Sequence, residues 1–349
     1  MKSITIPVFV SFWMLLGSRA VTATPPRLTT EEFMVPAGDP GISLYLRNKH
    51  PVGMRSVRAG RILLYVHGST YPSETTFDLE LNGFSWMDFI AERGYDVYLM
   101  DVRGYGRSTR PPEMSVPPDQ NEPIVRTEVA VRDVSTAVDF ILKRRSAERL
   151  NLLGWSWGTS LVGSYTAKHN DRVVKLVLYA PSWIGNLPPS VTGGGAKLGA
   201  YRWVSADGVK NGWLSGVPES KRADFIPPGW FDALVGALMA SDPAASSTNP
   251  PKMRAPNGAM ADHRDFWDAS KPLYDPSEIR VPTLLAHGEW DLIYPNELLY
   301  GYFSRLVNTP YRRYVQIGEA THFIMIEKNR MQLFDAVQQF LDQRVRVGD

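Results

Sequence analysis

Short apolar runs alternate along this chain with longer stretches in which apolar residues recur at three- and four-residue spacing. The short runs predict strands at 62–66, 96–100, 149–153, 173–179, 282–286 and 312–317. The longer stretches predict helices at 84–92, 126–145, 159–169, 296–306 and 323–344. In the last of these, Phe334, Val337, Phe340 and Leu341 fall on one helical face. Ahead of the first run, extended patterns around Glu32–Val35 and Ile42–Arg47 flank the turn-rich Pro36-Ala37-Gly38-Asp39-Pro40-Gly41, which reads as a leading hairpin. Strands alternating with helices give a mainly parallel sheet covered on both faces. With the hairpin, that sheet has eight strands.

Between Pro181 and Arg280 the alternation stops for about 100 residues rich in Gly, Pro and Trp, among them Gly193-Gly194-Gly195, Pro227-Pro228-Gly229-Trp230 and Ala244-Ala245-Ser246-Ser247-Thr248-Asn249-Pro250-Pro251. A structureless loop of that length does not suit a compact domain. Amphipathic pieces such as Trp230–Met239 predict short helices. The chain therefore divides into a core made of 24–181 and 281–349 and an insertion at 182–280.

The first residues follow a different logic. Lys2 precedes an apolar stretch at 4–16, and the small residues Gly17, Ser18, Ala20 and Ala23 follow. A charged start, an apolar centre and a small-residue site describe a secretory signal peptide over 1–23, cleaved after Ala20 or Ala23. The apolar stretch is short for a membrane span, so no stable membrane anchor is expected. Removal of 1–23 takes away Lys2 and Arg19 and no acid, bringing the formal charge from +2 to zero. The chain has no cysteine, which excludes thiol chemistry and a lipid-bearing cysteine and suits an oxidising compartment. A secreted or periplasmic location is expected. An apolar fraction of 44% and a charged fraction of 21% are those of an ordinary globular core. Without a block of Lys and Arg, nucleic acid is not expected as a partner.

Candidate chemistry centres on Gly154-Trp155-Ser156-Trp157-Gly158. Leu150, Leu152 and Leu153 lead in as a strand, and Thr159 to His169 leads out as a helix. A strand–turn–helix of this kind lifts the serine hydroxyl above the sheet end, and glycines flank it because the backbone is tight there. A serine nucleophile needs a base, and the base needs an orienting acid. Of six histidines, His322 lies in the loop between the last strand and the last helix, which makes it the base; His287 ends a strand and reads as structural. Asp291, 31 residues before His322, is the acid, with Glu289 as its competitor. The oxyanion donors are the N–H of Trp157, directly after the nucleophile, and of Ser69 in the loop after the 62–66 strand, with Thr70 second. His67 reads as a brace for that loop.

Four segments in order, His67-Gly68, Asp101-Val102-Arg103-Gly104-Tyr105-Gly106-Arg107-Ser108, the Ser156 pentapeptide and the Asp291/His322 pair, resemble the α/β-hydrolase superfamily. The resemblance implies an α/β-hydrolase fold whose insertion caps the active site, with the pocket between cap and core. Arg103 is expected to anchor its loop by hydrogen bonds. An aromatic pocket is expected from Tyr71, Trp155, Trp183 and Trp290, with the Trp157 ring facing it and Trp203, Trp213, Trp230 and Trp267 in the cap. No metal-ligand spacing, dinucleotide fingerprint or phosphate loop is present, so no cofactor and no metal are implied. The implied activity is hydrolysis of a small-molecule carboxylic ester or lactone with an apolar or aromatic moiety, through an acyl-enzyme. A serine where dehalogenases and epoxide hydrolases carry aspartate argues against those chemistries. The elbow is similar to that of proline iminopeptidases, but His67-Gly68-Ser69-Thr70-Tyr71 departs from their His-Gly-Gly-Pro-Gly. An amide hydrolase, a C–C bond hydrolase and a non-catalytic binding protein are the alternatives.

Overall fold

A computed structural model describes residues 26–185 and 195–344; the expected signal segment 1–23 lies outside them. Eight strands form one sheet: β1 (Leu28–Pro36), β2 (Ser43–Pro51), β3 (Ile62–Val66), β4 (Asp96–Met100), β5 (Leu150–Trp155), β6 (Val173–Tyr179), β9 (Thr283–Gly288) and β10 (Arg312–Ile317). Their spatial order is β1-β2-β4-β3-β5-β6-β9-β10. All pairs from β4 through β10 are parallel, and the β1–β2 hairpin joins antiparallel at β4. Strands β3, β4, β5 and β9 are buried at every position, which is why they read as unbroken apolar runs and not as alternations. The edge strand β10 is largely half-exposed.

The sheet order places the site. From β3 the chain passes through α1 (Trp86–Ala91) to β4 on one side. It then returns through α2 (Thr127–Arg145) past β3 to β5 on the other. Loops leaving β3 and β5 therefore diverge, and a crevice opens at the carboxyl ends of these two strands. His67–Tyr71 follow β3 there, and Ser156 follows β5 at the start of α3 (Trp157–Lys168).

Between β6 and β9 the chain forms α4 (Ala206–Trp213), α5 (Trp230–Ala240) and α6 (Gly258–Asp262). A π-helical turn, His263–Trp267, follows α6. The Trp230 helix stands where the sequence places one. The pattern did not foresee an antiparallel ribbon, β7 (Tyr201–Ser205) with β8 (Lys252–Pro256). Each strand is five residues long, too short for a period to show, and the two are far apart in sequence. Val209, Trp213, Phe225 and Leu234 pack into the same apolar cluster as the sheet. Ion pairs Arg126–Asp262 and Arg110–Asp242 add polar ties to the core.

After β9 come α7 (Asn296–Ser304) and α8 (Arg330–Asp342). The expected helix at 323–344 is corrected: it begins only at Arg330. Phe323–Asn329 instead form a loop with a 3-10 turn at Ile324–Ile326. Phe323, Ile324, Met325 and Ile326 are all buried. Their apolarity supports the loop from below and does not form a helix face.

Candidate active site

Ser156 stands between β5 and α3 with φ 54° and ψ −126°. A serine held there costs roughly 1–3 kcal/mol, which the surroundings must over-determine. They do so through the backbone: Ser156 N–H donates to Tyr179 O at 2.9 Å, and Ser156 O accepts from Thr159 N–H at 2.9 Å. The flanking glycines have a steric reason. A Cβ on Gly154 would lie 2.5 Å from Gly158 O, and one on Gly158 would lie 2.3 Å from Val66 O.

Ser156 and His322 line one cavity of about 330 Å³, together with Ser69, Thr70, Tyr71, Trp155 and Phe323 from the sheet side and Arg202, Trp203, Met260 and His263 from the insertion. His322 Nδ1 lies 2.7 Å from Asp291 Oδ2; an ionised carboxylate only accepts, so Nδ1–H is the donor. The His322 backbone is pinned at its carbonyl, which accepts from Trp155 Nε1–H at 3.0 Å and from Tyr179 O–H at 2.9 Å.

Asp291 is buried. Burial pushes its carboxyl up, but His322, His287 and the Tyr294 N–H outweigh that and hold it below the usual carboxylate range. Its Oδ1 accepts from the N–H groups of Ile293 and Tyr294 at 2.9 and 3.2 Å. The competitor Glu289 turns outward and accepts from Glu319 N–H at 2.8 Å. His287 is enclosed in the sheet, with Nε2 2.9 Å from Tyr294 O; burial lowers its pKa, and the ring braces the Asp291 loop.

Of the expected oxyanion donors, Trp157 is the first residue of α3, whose first N–H groups have no partner inside the helix. Ser69 faces the same cavity. His67 fixes the loop before it: Nε2 accepts from Val102 N–H at 3.0 Å, so Nδ1–H donates to Gly68 O at 2.6 Å. Burial drives its pKa down to about 4, which keeps it neutral. Arg103 anchors the 101–108 loop, donating from Nε to Asp133 at 2.9 Å.

Three pocket expectations are corrected. The Trp157 ring does not face the cavity; it is buried, and its Nε1–H donates to Thr127 Oγ1 at 2.8 Å under α2. Trp183 packs edge-on against Tyr302 with ring centroids 4.9 Å apart. Trp290 packs against Phe225 at 6.0 Å. Neither lines the cavity, whereas Tyr71 and Trp155 do. Among the insertion tryptophans, Trp213 and Trp267 are fully buried and Trp230 nearly so, which leaves Trp203 on the cavity wall.

Sequence reasoning passed over four polar groups. Arg202, on β7, reaches into the cavity. His263 and Tyr294 meet there with Nε2 and Oη 3.0 Å apart, and burial pushes His263 down to about 3, so it is neutral. Glu327 is buried beneath the His322 loop, accepts from Thr321 N–H at 3.0 Å and is pushed by burial up to about 8. The one sequence signal for Glu327 is a lone acid at the end of the apolar run Phe323–Ile326. Among the described residues no group of three or more His, Cys, Asp or Glu is placed to hold a metal ion, and no described helix is long and apolar enough to cross a membrane.

This arrangement can activate a hydroxyl, receive its proton and stabilise an oxyanion. Comparison with known proteins agrees at the level of fold. A putative non-heme chloroperoxidase of Synechocystis is 26% identical over 247 residues, covering 68% of this chain and 77% of the relative. A thermophilic esterase from Thermogutta terrifontis superposes with a TM-score of 0.58 at 16% identity, over 89% of this chain and 98% of its own. The enol-lactonase from Burkholderia xenovorans superposes at 0.59 and 18% identity, over 90% of this chain and 100% of its own. A family model for the alpha/beta hydrolase fold matches residues 62–329, and with the sheet order and the strained serine turn already in place, the chain belongs to the alpha/beta hydrolase family.

Proposed function

We propose that this chain is an exported serine hydrolase that cleaves carboxylic esters or lactones with an apolar or aromatic moiety. One observation carries the reading: Ser156, on a strained turn, shares a cavity with His322, whose other nitrogen is held by buried Asp291 at 2.7 Å. Ser156 Oγ attacks the carbonyl carbon as His322 Nε2 takes its proton. The oxyanion forms against the N–H groups of Trp157 and Ser69, which act without reorganisation where the charge develops. The intermediate collapses, the C–O bond breaks, and His322 returns the proton to the leaving alcohol. Water, deprotonated by the same nitrogen, attacks the acyl-enzyme and releases the acid. Asp291 holds the tautomer and stabilises the imidazolium throughout.

The apolar wall of Tyr71, Trp155, Trp203, Met260 and Phe323 favours an apolar substrate. Labelling of Ser156 by a fluorophosphonate, with a panel of aryl and alkyl esters, lactones and prolyl amides, tests the class. Prolyl amides hydrolysed faster than every ester would replace this reading with a peptidase.

Asp291→Asn is expected to lower kcat by about 10²–10⁴-fold, because an amide N–H aimed at Nδ1 selects the wrong imidazole tautomer. Glu289→Gln is expected to cost little, since its carboxylate meets the Glu319 N–H and not His322 Nδ1. Steady-state kinetics on both variants decides the acid, and the reverse ranking would move it to Glu289.

We also propose that residues 182–280 act as a cap that sets substrate choice. Trp203→Ala is then expected to shift kcat/KM by about 10- to 100-fold, the scale of a lost apolar contact. Long or aromatic esters lose most and acetyl esters least, since an acetyl group hardly reaches the ribbon. Equal losses on every ester length would make the insertion a scaffold.

A further inference from the structure

Among the described residues Arg202 has no carboxylate partner, and it stands in the wall of the substrate cavity. Its Nη2–H groups donate to Ser69 O at 2.9 Å and Thr70 Oγ1 at 2.8 Å. Its Nη1 donates to Pro256 O at 2.8 Å and lies 3.3 Å from Asn257 Oδ1. All these acceptors are neutral. The ionisable groups facing it are Tyr71 and Tyr105, whose phenols burial keeps protonated. Among the described residues no Asp or Glu lines the cavity, and Asp291 beneath it is bonded to His322. Elsewhere buried Arg103 has Asp133, and half-buried Arg145 and Arg254 have Asp96 and Asp242. Arg330 lacks one, but it lies away from the cavity against the rings of Phe84, Trp230 and Phe334.

The hydrogen bonds explain how Arg202 latches the β7–β8 ribbon to the loop that carries Ser69. They do not explain the charge. Neutral donors would grip those carbonyls without the penalty of holding a desolvated cation with no anion. Among the described residues the Nε–H has no hydrogen-bond partner. A cavity whose one permanent charge is a cation attracts and orients an anion. With the Nη–H groups engaged, the Nε–H and the charge are what Arg202 has left to offer a carboxylate.

We propose that the substrate carries a carboxylate, that Arg202 receives it, and that the preferred substrates are half-esters of dicarboxylic acids or lactones bearing an acid group. This rests on the serine-hydrolase reading above. Arg202 holds the loop of the proposed oxyanion donor, so the carboxylate lies a few bonds from the scissile carbonyl. Attack by Ser156 breaks the ester C–O bond and leaves the carboxylate untouched, and the released acid is a dianion.

The test compares two esters of equal chain length, 4-nitrophenyl pentanoate and mono-4-nitrophenyl glutarate. The unaltered enzyme is expected to favour the glutarate half-ester in kcat/KM. Arg202→Gln releases the latch and lowers both by a shared factor. It is expected to lower the half-ester a further roughly 30- to 100-fold, expressed in KM, the scale of one lost charge-assisted hydrogen bond. Arg202→Lys keeps part of the preference. A second arm needs no turnover: calorimetry of glutarate with Ser156→Ala protein, with and without Arg202→Gln. Binding that disappears with Arg202 while neither ester is cleaved by the unaltered enzyme would defeat the serine-hydrolase reading and leave the anion site standing. The proposal is overturned if the unaltered enzyme shows no preference for the half-ester, if Arg202→Gln lowers both esters equally, or if glutarate binding ignores it. Should the glutamine variant fail to fold, the preference of the unaltered enzyme and its retention in Arg202→Lys decide.

Discussion

Ser156→Ala is expected to lower kcat by about 10⁶-fold, the loss seen when the nucleophile of a serine triad is removed. Its fold is expected to be unchanged, because the contacts that hold the turn belong to the backbone. Ser156 N–H bonds to Tyr179 O and Ser156 O receives Thr159; the side chain caps nothing on α3. The hydroxyl is thus removed without a structural bond being broken. The positive φ of 54° adds a second, independent check. Alanine inherits the strain and glycine does not. Ser156→Gly is expected to be as inactive as Ser156→Ala and at least as stable, since release of roughly 1–3 kcal/mol of strain outweighs the entropy glycine adds to the unfolded chain. Thermal unfolding and ester kinetics on both variants make the check. An alanine variant that kept half its activity at unchanged stability would remove Ser156 from the chemistry. A glycine variant clearly less stable than the alanine one would remove strain from the account of the turn.

Legibility in the sequence followed how local each signal is. Strands β3, β4, β5 and β9 are covered on both faces, so burial alone wrote them as apolar runs. The Ser156 turn was legible because its constraint is short-range: two glycines within two residues of the serine, each pressed against backbone. The pairing of Asp291 with His322 follows from parallel β9 and β10, which bring the loops after both strands to the same sheet edge. What stayed hidden depends on distant chain. Phe323–Asn329 reads as helix because its apolar residues are real, yet they serve a buried loop held by the Met325 N–H on Tyr179 Oη and the Phe323 ring against Trp155. Trp183 and Trp290 look like pocket residues only while the path of the insertion is unknown. Arg202 meets Ser69 and Thr70 across more than 130 residues of sequence, and no local pattern marks it. Aromatic content told that the pocket would be apolar; it did not tell which rings would reach it.

His322→Ala is expected to match Ser156→Ala in lost rate, about 10⁶-fold, because nucleophile and base act as a unit. Its stability is expected to differ. The His322 carbonyl stays pinned by Trp155 and Tyr179, so the loop keeps its course. Asp291, however, loses the 2.7 Å bond to Nδ1 while remaining buried. Removing a hydrogen bond to a charged group costs about 1.5–3 kcal/mol. Ile293 and Tyr294 still donate to Oδ1, which limits the loss. The loss of charge stabilisation also has a sign in pH. The Asp291 carboxyl is held below its usual range in the folded protein, so its contribution is present at neutral pH and fades as pH falls through the folded pKa. The His322→Ala deficit in melting temperature is therefore expected to be largest near neutrality and to shrink in acid. His287→Ala is expected to leave far more activity, since that ring faces Tyr294 O and not the serine. The double variant Ser156→Ala/His322→Ala gives the sharpest reading. With one site acting as a unit, kcat in the double variant equals that of either single variant. A further large drop would mean that serine and histidine serve separate reactions, and the shared cavity would then need another explanation.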